Sequence, residues 1–211
     1  VSSVLRLYTD FVCPFCFIAE QSTVPRLLSE FELELEWYGF ELHPSTPPGG
    51  VPLSRLFPNV PLAAMHERTK SFGARFGVTG FQPPDWLWNS RKALAIAEYA
   101  RDHDTLEPFR QAAMQALWRE GKGLENTEDL AFMAERAGLD VSEALAASTD
   151  AALLARVDER QEEARRHGVR GIPTFVFGDV GVVGCQPYEA LAAAAASAGV
   201  KRRGLTGPDL I

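Results

Sequence analysis

Cysteine is scarce in this chain: three among 211 residues, at Cys13, Cys16 and Cys185. A secreted scaffold stapled by disulfides uses more of them, at wider spacing, to close large loops. Basic charge is scarce too. Lys and Arg number 21 against 28 Asp and Glu, and the formal net charge of −7 offers nothing to a nucleic-acid partner. Arg165-Arg166 and Lys201-Arg202-Arg203 are local exceptions, at a helix end and in a tail, and read as solvated surface. No apolar run approaches the roughly 20 residues that span a bilayer. None of the four histidines pairs with another at the i, i+4 spacing of a helical metal site. The first strand begins within a few residues of position 1, leaving no room for a basic, apolar leader. The expectation is a cytoplasmic protein with no metal, no membrane partner and no nucleic-acid partner.

What the chain does have is Cys13-Pro14-Phe15-Cys16, directly after the apolar stretch Val4-Leu5-Arg6-Leu7-Tyr8. Two thiols separated by two residues at a strand-to-helix junction suit a disulfide that opens and closes. A cysteine in the first turn of a helix faces unpaired backbone N–H groups and the positive end of the helix dipole, and both favour thiolate over thiol. Cys13 is thus the expected exposed nucleophile. Cys16, one turn deeper, is the thiol that would attack the mixed disulfide and release the substrate. Pro14 suits the first helical turn, where an N–H has no partner to lose, and Phe15 sets an apolar side chain beside the thiol. Two alternatives remain open at this point. A structural zinc ion would need Cys185 and a histidine to complete four ligands, and two inert cysteines would simply pack as small hydrophobes.

The remaining pattern frames this pair. Residues 4–9 read as a strand, and 13–31 as a helix kinked near 21–24 by Pro25. Leu33, Leu35, Trp37 and Gly39 alternate with polar positions, giving a second strand. Residues 43–61 are rich in proline and glycine and read as a long excursion. Helices follow, with no strand expected: about 61–76, 90–102, 106–120, 127–138 (opened by the cap signature Asn126-Thr127-Glu128-Asp129) and 150–167, closing at Gly168. Thr174–Phe177 and Gly181–Gly184 read as strands flanking a Gly178-Asp179 turn, and a last helix carries Pro187 in its first turn and ends before Gly199. The order is β-α-β, a helical block of over a hundred residues, then β-β-α. That is an α/β, thioredoxin-like fold with a large all-helical insertion, the first expected at 1–43 and 168–211 and the insertion at 44–167.

Pro173 is the second functional signal. A proline at the entrance to a strand forfeits a ladder donor. A cis Ile172–Pro173 bond, which would bring the turn beside the thiols and leave the Ile172 backbone open to an extended substrate, and an ordinary trans turn both fit the sequence.

Tyr8-Thr9-Asp10-Phe11-Val12 ahead of Cys-Pro-Phe-Cys, together with Gly168-Val169-Arg170-Gly171-Ile172-Pro173-Thr174-Phe175-Val176, resembles the DsbA family, most closely its FrnE-like branch. Asn89-Ser90, Trp118-Arg119-Glu120-Gly121 and Gly184-Cys185-Gln186-Pro187 extend the likeness over essentially the whole chain. The resemblance implies a thiol–disulfide oxidoreductase acting on protein or small-thiol disulfides, with Cys13 as nucleophile, Cys16 as resolving thiol and Pro173 as a cis proline. Pro14, Phe15, Ile172 and Thr174 are the candidate substrate-binding positions. Cys185 joins them as a possible lining of the groove, its plainer reading being a small packed residue. No cofactor is implied, glutathione entering only as a co-substrate. The likeness is incomplete. DsbA carries a histidine where Phe15 stands, so a weaker oxidant is expected here. The buried acid of thioredoxin-like proteins has no counterpart among Leu5 and Leu7, which leaves Asp10 as the nearest proton acceptor, read here as an exposed turn residue. Trp86 and Trp88 read as anchors of the insertion or a roof near the thiols. Two rival functions stand beside this one: a glutathione-dependent isomerase or transferase of the 2-hydroxychromene-2-carboxylate isomerase or kappa type, and a non-enzymatic redox-sensing or chaperone-like binder.

Overall fold

The computed structural model describes residues 3–204, so the outer ends of the expected 1–43 and 168–211 segments lie outside the described residues. A four-stranded sheet has the order β2-β1-β5-β6, formed by Leu33–Gly39, Ser3–Thr9, Thr174–Phe177 and Val180–Val183. β1 and β2 run parallel, joined by the helical crossover that a parallel pair requires. β5 pairs antiparallel with both β1 and β6. Leu5 faces Phe177 and Leu7 faces Phe175 across the β1–β5 ladder, and all four are fully buried.

The crossover is two helices, α1 (Pro14–Gln21) and α2 (Thr23–Glu30), broken at Ser22, whose φ of −127° and ψ of −78° leave the helical region. The break falls where Pro25 places it. Pro25 occupies the first turn of α2, where backbone N–H groups lack intrahelical partners anyway.

Between β2 and β5 lie α3 (Leu53–Leu56), α4 (Leu62–Ala74), α5 (Arg91–Asp102), α6 (Leu106–Arg119), α7 (Thr127–Arg136), α8 (Val141–Ala147) and α9 (Ala151–Arg166). Asn126 caps α7 as the sequence predicts, through a side-chain bond from Asp129 N, and Asp150, at the expected start of α9, caps it by accepting from Ala152 N and Leu153 N. Two features depart from expectation. A two-residue ribbon pairs β3 (Val51–Pro52) with β4 (Trp86–Leu87) inside the block read as strandless. α8 also fills a stretch left between two helices, with Asp140 as its cap. The final helix, α10 (Tyr188–Ser197), begins after Pro187, which is its cap residue and not part of its first turn.

The tail is a further correction. Arg202 bridges to Phe31, its guanidinium lies over that ring and pairs with Glu30, and Arg203 donates to Leu28 O. The basic tail is therefore docked along α2 and is not merely solvated. Sheet and helical block share one apolar cluster, from Leu5 and Phe177 to Leu117 and Met133.

Candidate active site

Cys13 sits at the junction of β1 and α1, as the cap residue of the helix. Its backbone is extended (φ −86°, ψ 115°), its N–H donates to Asp10 O at 3.1 Å, and its C=O accepts from Phe17 N. Such positions ordinarily hold an oxygen-bearing side chain aimed at the first-turn amides. Here a sulfur takes that place. The Cys13 pKa is lowered, chiefly by the hydrogen bond from the Cys16 thiol. Burial opposes this, the Cys16 and Phe15 amides add to it, and the Asp10 charge works against it. Cys16 is fully buried. Its thiol is pushed well up, first by desolvation, then by the hydrogen bond and charge of Cys13. The two shifts run in opposite directions: the Cys13 thiolate is favoured, and the Cys16 thiol is kept protonated.

The expected exposure of Cys13 does not hold: the residue is 2% exposed. The reason is the loop before β5. The Ile172–Pro173 bond is cis, and the Cys13 Sγ lies 3.9 Å from Ile172 O, to which it donates. Phe15, by contrast, is 44% exposed, and its ring meets the Phe72 ring of α4 edge-on at 5.0 Å. Pro14 is the first residue of α1. Thr174 is buried, and its hydroxyl donates to Gly171 O at 2.6 Å, closing the turn that carries Ile172. Gly184, at a φ of +89° that favours glycine, donates to Pro173 O at 2.7 Å, which sets Cys185 beside this loop. Cys185 is half-buried, and burial, helped by the Cys13 charge, pushes its thiol up to about 12. The histidines do not converge: His66 faces Asp85 and His103 faces Tyr99. Trp86 and Trp88 stack on each other at 5.7 Å, Trp86 exposed and Trp88 against Gly123.

Asp10 is the largest correction. Turn propensity places it at an exposed turn, and the fold buries it fully. Oδ2 accepts from Leu42 N at 2.7 Å, while Oδ1 is buried without a hydrogen-bond partner. Desolvation raises its pKa to about 6, against the opposing pull of the Leu42 amide and the Ser90 hydroxyl. The groups that cover Asp10 come from 32 and 80 positions downstream, so turn propensity says nothing of them.

Several residues that hold the site in place are not among the expected site residues. The Trp118 Nε1 of α6 donates to Phe11 O at 2.8 Å, and its ring stacks on Phe17 at 5.4 Å. Arg110 of α6 pairs with Glu20 of α1, both buried, and also with Glu107. Opposite charges on two otherwise apolar helix faces were the available sign. Among the described residues no group of three or more His, Cys, Asp or Glu could hold a metal ion, and no helix is long and apolar enough to cross a membrane.

A helix-capping thiol facing the loop that enters β5, on a sheet of this order, is the arrangement of a thioredoxin-type fold. Residues 4–196 match the DSBA-like thioredoxin domain, and the chain belongs to that family of DsbA-like thiol–disulfide oxidoreductases. An uncharacterized protein of Bacillus subtilis (strain 168), YwbO, is 26% identical over 191 residues, covering 85% of this chain and 89% of its own. A probable DsbA oxidoreductase from Streptomyces coelicolor superposes with a TM-score of 0.83 at 24% identity, over 98% of this chain and 97% of that one. A 2-hydroxychromene-2-carboxylate isomerase superposes at 0.70 and 20% identity, over 92% and 95%. At these identities the two structures attest the fold alone.

Proposed function

We propose that this protein, a FrnE-like member of its family, exchanges disulfides in protein or small-thiol substrates through Cys13 and Cys16. One observation carries the reading: a sulfur with a lowered pKa at the start of α1, against the Ile172 carbonyl of a cis-proline loop and one helical turn from a protonated thiol. The Cys13 thiolate attacks one sulfur of a substrate disulfide, forming a mixed disulfide and expelling the other sulfur as thiolate. Cys16 then gives up its proton and attacks the Cys13 sulfur. The second substrate thiolate leaves, and a Cys13–Cys16 disulfide remains. The substrate gains two electrons and the protein loses two. Run backwards, the same steps oxidise a dithiol.

Asp10 is the acceptor for the Cys16 proton in this scheme. It is buried, lies within the field of both thiols, and is ionised above a pH of about 6. Pro14, Phe15, Ile172 and Thr174 form the substrate-facing surroundings, with Thr174 acting through the turn it closes. Cys185 is a protonated neighbour of the loop and not a second nucleophile. Glutathione enters as a co-substrate that recharges the pair, and the cytoplasm is the compartment.

The test is reduction of a fluorogenic peptide disulfide. Cys13→Ser is expected to abolish turnover, and Cys16→Ser to accumulate the mixed disulfide. A glutathione-dependent isomerisation that survives Cys16→Ser would instead favour the isomerase class, whose fold this chain shares. Client binding that persists with both cysteines replaced, without turnover by the wild type, would favour a binding protein. Phe15 supplies no charge to the Cys13 thiolate, so a glutathione titration is expected to give a potential nearer the glutaredoxin range of about −200 to −230 mV than the −120 mV of DsbA. A value at the DsbA level would refute that expectation.

A further inference from the structure

The rim around Cys13 carries arginines that the rest of the protein does not satisfy. Arg91, Arg101, Arg110 and Arg156 are paired with carboxylates, whereas Arg55, Arg165 and Arg166 are exposed without an ion pair among the described residues, so it is position beside the thiols that sets the rim arginines apart. Arg68 of α4, Arg75 at the C-terminal cap of that helix and Arg170 of the cis-proline loop are exposed. None makes an ion pair or a side-chain hydrogen bond among the described residues.

Their placement follows from the helix and the loop. Positions 68, 72 and 75 fall on one face of α4 at the i, i+4, i+7 spacing. Phe72, at the centre of that face, meets Phe15 edge-on at 5.0 Å, and the Arg75 guanidinium lies 5.5 Å from the Phe72 ring centre. From the residue next but one to Cys13, the surface therefore runs ring, ring, cation. That is a reach of about three residues of extended chain at about 3.3 Å each. Arg75 also forms the wall between two hollows. One of about 330 Å³ lies against Arg26, Phe76 and Tyr188, and a shallower one of about 370 Å³ lies against Arg68 and Phe72. Arg170 is two residues from Ile172, whose carbonyl touches the thiol. Glu67 and Glu189 line the same hollows and do not pair with these arginines.

We propose that this rim selects disulfides set in acidic polypeptide segments, with Arg75 as the main specificity-determining residue and Arg68 and Arg170 beside it. The inference rests on the oxidoreductase reading and names its substrate class. A chain of net charge −7 repels an acidic partner at long range, so an acidic substrate needs cations at the point of contact. Screening beyond about 8 Å at physiological salt makes such local charges decisive. Arg68 and Arg75 are seven residues apart, about 10 Å along the helix, and Arg170 projects from a separate loop. That spread suits carboxylates spaced along a polypeptide better than the two of one small thiol. The exposed Phe15 ring and the half-buried Phe72 ring beside it give the residues next to the half-cystine an apolar seat.

The experiment compares two cystine-bridged fluorogenic peptides identical except for flanking Asp or Lys, with glutathione disulfide as a third substrate. The wild type is expected to favour the acidic peptide about tenfold in kcat/KM at low salt, and less in 0.5 M salt. Each neutralisation, Arg75→Met, Arg68→Met or Arg170→Met, is expected to lower that ratio about two- to fivefold, the size of an exposed ion pair. Arg75→Glu is expected to bring it to unity or below. A ratio that Arg75→Glu leaves unchanged, a wild type that favours the basic peptide, or an Arg75 effect confined to glutathione disulfide would each overturn the proposal. If the wild type turns over neither peptide, the oxidoreductase reading fails. Fluorescence anisotropy of the two reduced peptides on Cys13→Ser, with and without Arg75→Glu, still decides the rim: tighter acidic binding that needs Arg75 supports it, and equal binding overturns it.

Discussion

Two ways of burying a carboxylate coexist in this molecule. Glu20, Glu41 and Glu98 are buried and face arginine: Arg110 for the first, Arg91 for the second, and Arg101, Arg156 and Arg160 for the third. Asp10 is buried as deeply, and among the described residues no cation pairs with it. The paired acids clamp helices together, α1 to α6 and α5 to α9. The charge of the unpaired one acts on both sulfurs. Burial pushes Glu41 up as it does Asp10, but the Arg91 charge opposes that push at Glu41 and no cation opposes it at Asp10. An acid left in apolar surroundings titrates where a thiol needs it to. The same fold therefore spends its cations on stability in the helical block and withholds them from Asp10.

The comparison breaks most visibly at Arg110. Arg110→Met removes the partner of a buried Glu20 whose Oε1 already lacks a hydrogen bond. Urea unfolding at pH 7 is expected to show a loss of about 3–5 kcal/mol, the usual result of stranding a buried charge. A loss under 1 kcal/mol would mean that the pair is not buried in solution. Asp10→Asn should do the opposite. The folded pKa of about 6 lies above the unfolded value, so Asp10 favours folding only while protonated. That contribution is complete below pH ~4 and is lost as pH rises through about 6. The wild type therefore carries a cost on the order of 2–3 kcal/mol at pH 8. Asparagine, which can still accept from Leu42 N, is expected to recover most of it at pH 8 and almost nothing at pH 4. Equal effects at both pH values would place the asparagine gain elsewhere than in charge.

The smallest expected effect is kinetic. The rate at which Cys16 resolves the mixed disulfide should rise with pH through about 6 in the wild type, as Asp10 becomes able to take the proton. In Asp10→Asn that inflection should vanish and the rate at pH 7 fall about tenfold. This is below the usual 10²–10⁴ for general-base catalysis, because water also accepts a thiol proton. An unchanged profile would remove Asp10 from the mechanism and leave the thiol pair untouched.

Local chemistry made part of this legible in the sequence. The strand-to-helix position of Cys13 and Cys16, the Pro25 break and the Asn126 cap all depend on residues within a turn of one another, and the structure carries each of them. The features that were misread depend on distant partners. Asp10 is turn-like by its neighbours and buried by Leu42 and Ser90. Cys13 is exposed by its position in the helix and covered by a loop 159 residues away. The β3–β4 ribbon is too short for alternation to reveal, and α8 is seven residues long, little more than its cap and one apolar face. The docking of Arg202 on Phe31 depends on a ring that only tertiary structure brings to the tail.

The 159-residue separation between Cys13 and Ile172 also sets a sequence of events during synthesis. At translation speeds of about 5–20 residues per second, the thiol pair leaves the ribosome roughly 8–30 s before the loop that shields it. For that interval the nascent chain presents two uncovered thiols to whatever oxidants surround it, and the assembled centre cannot exist until β5 has been made.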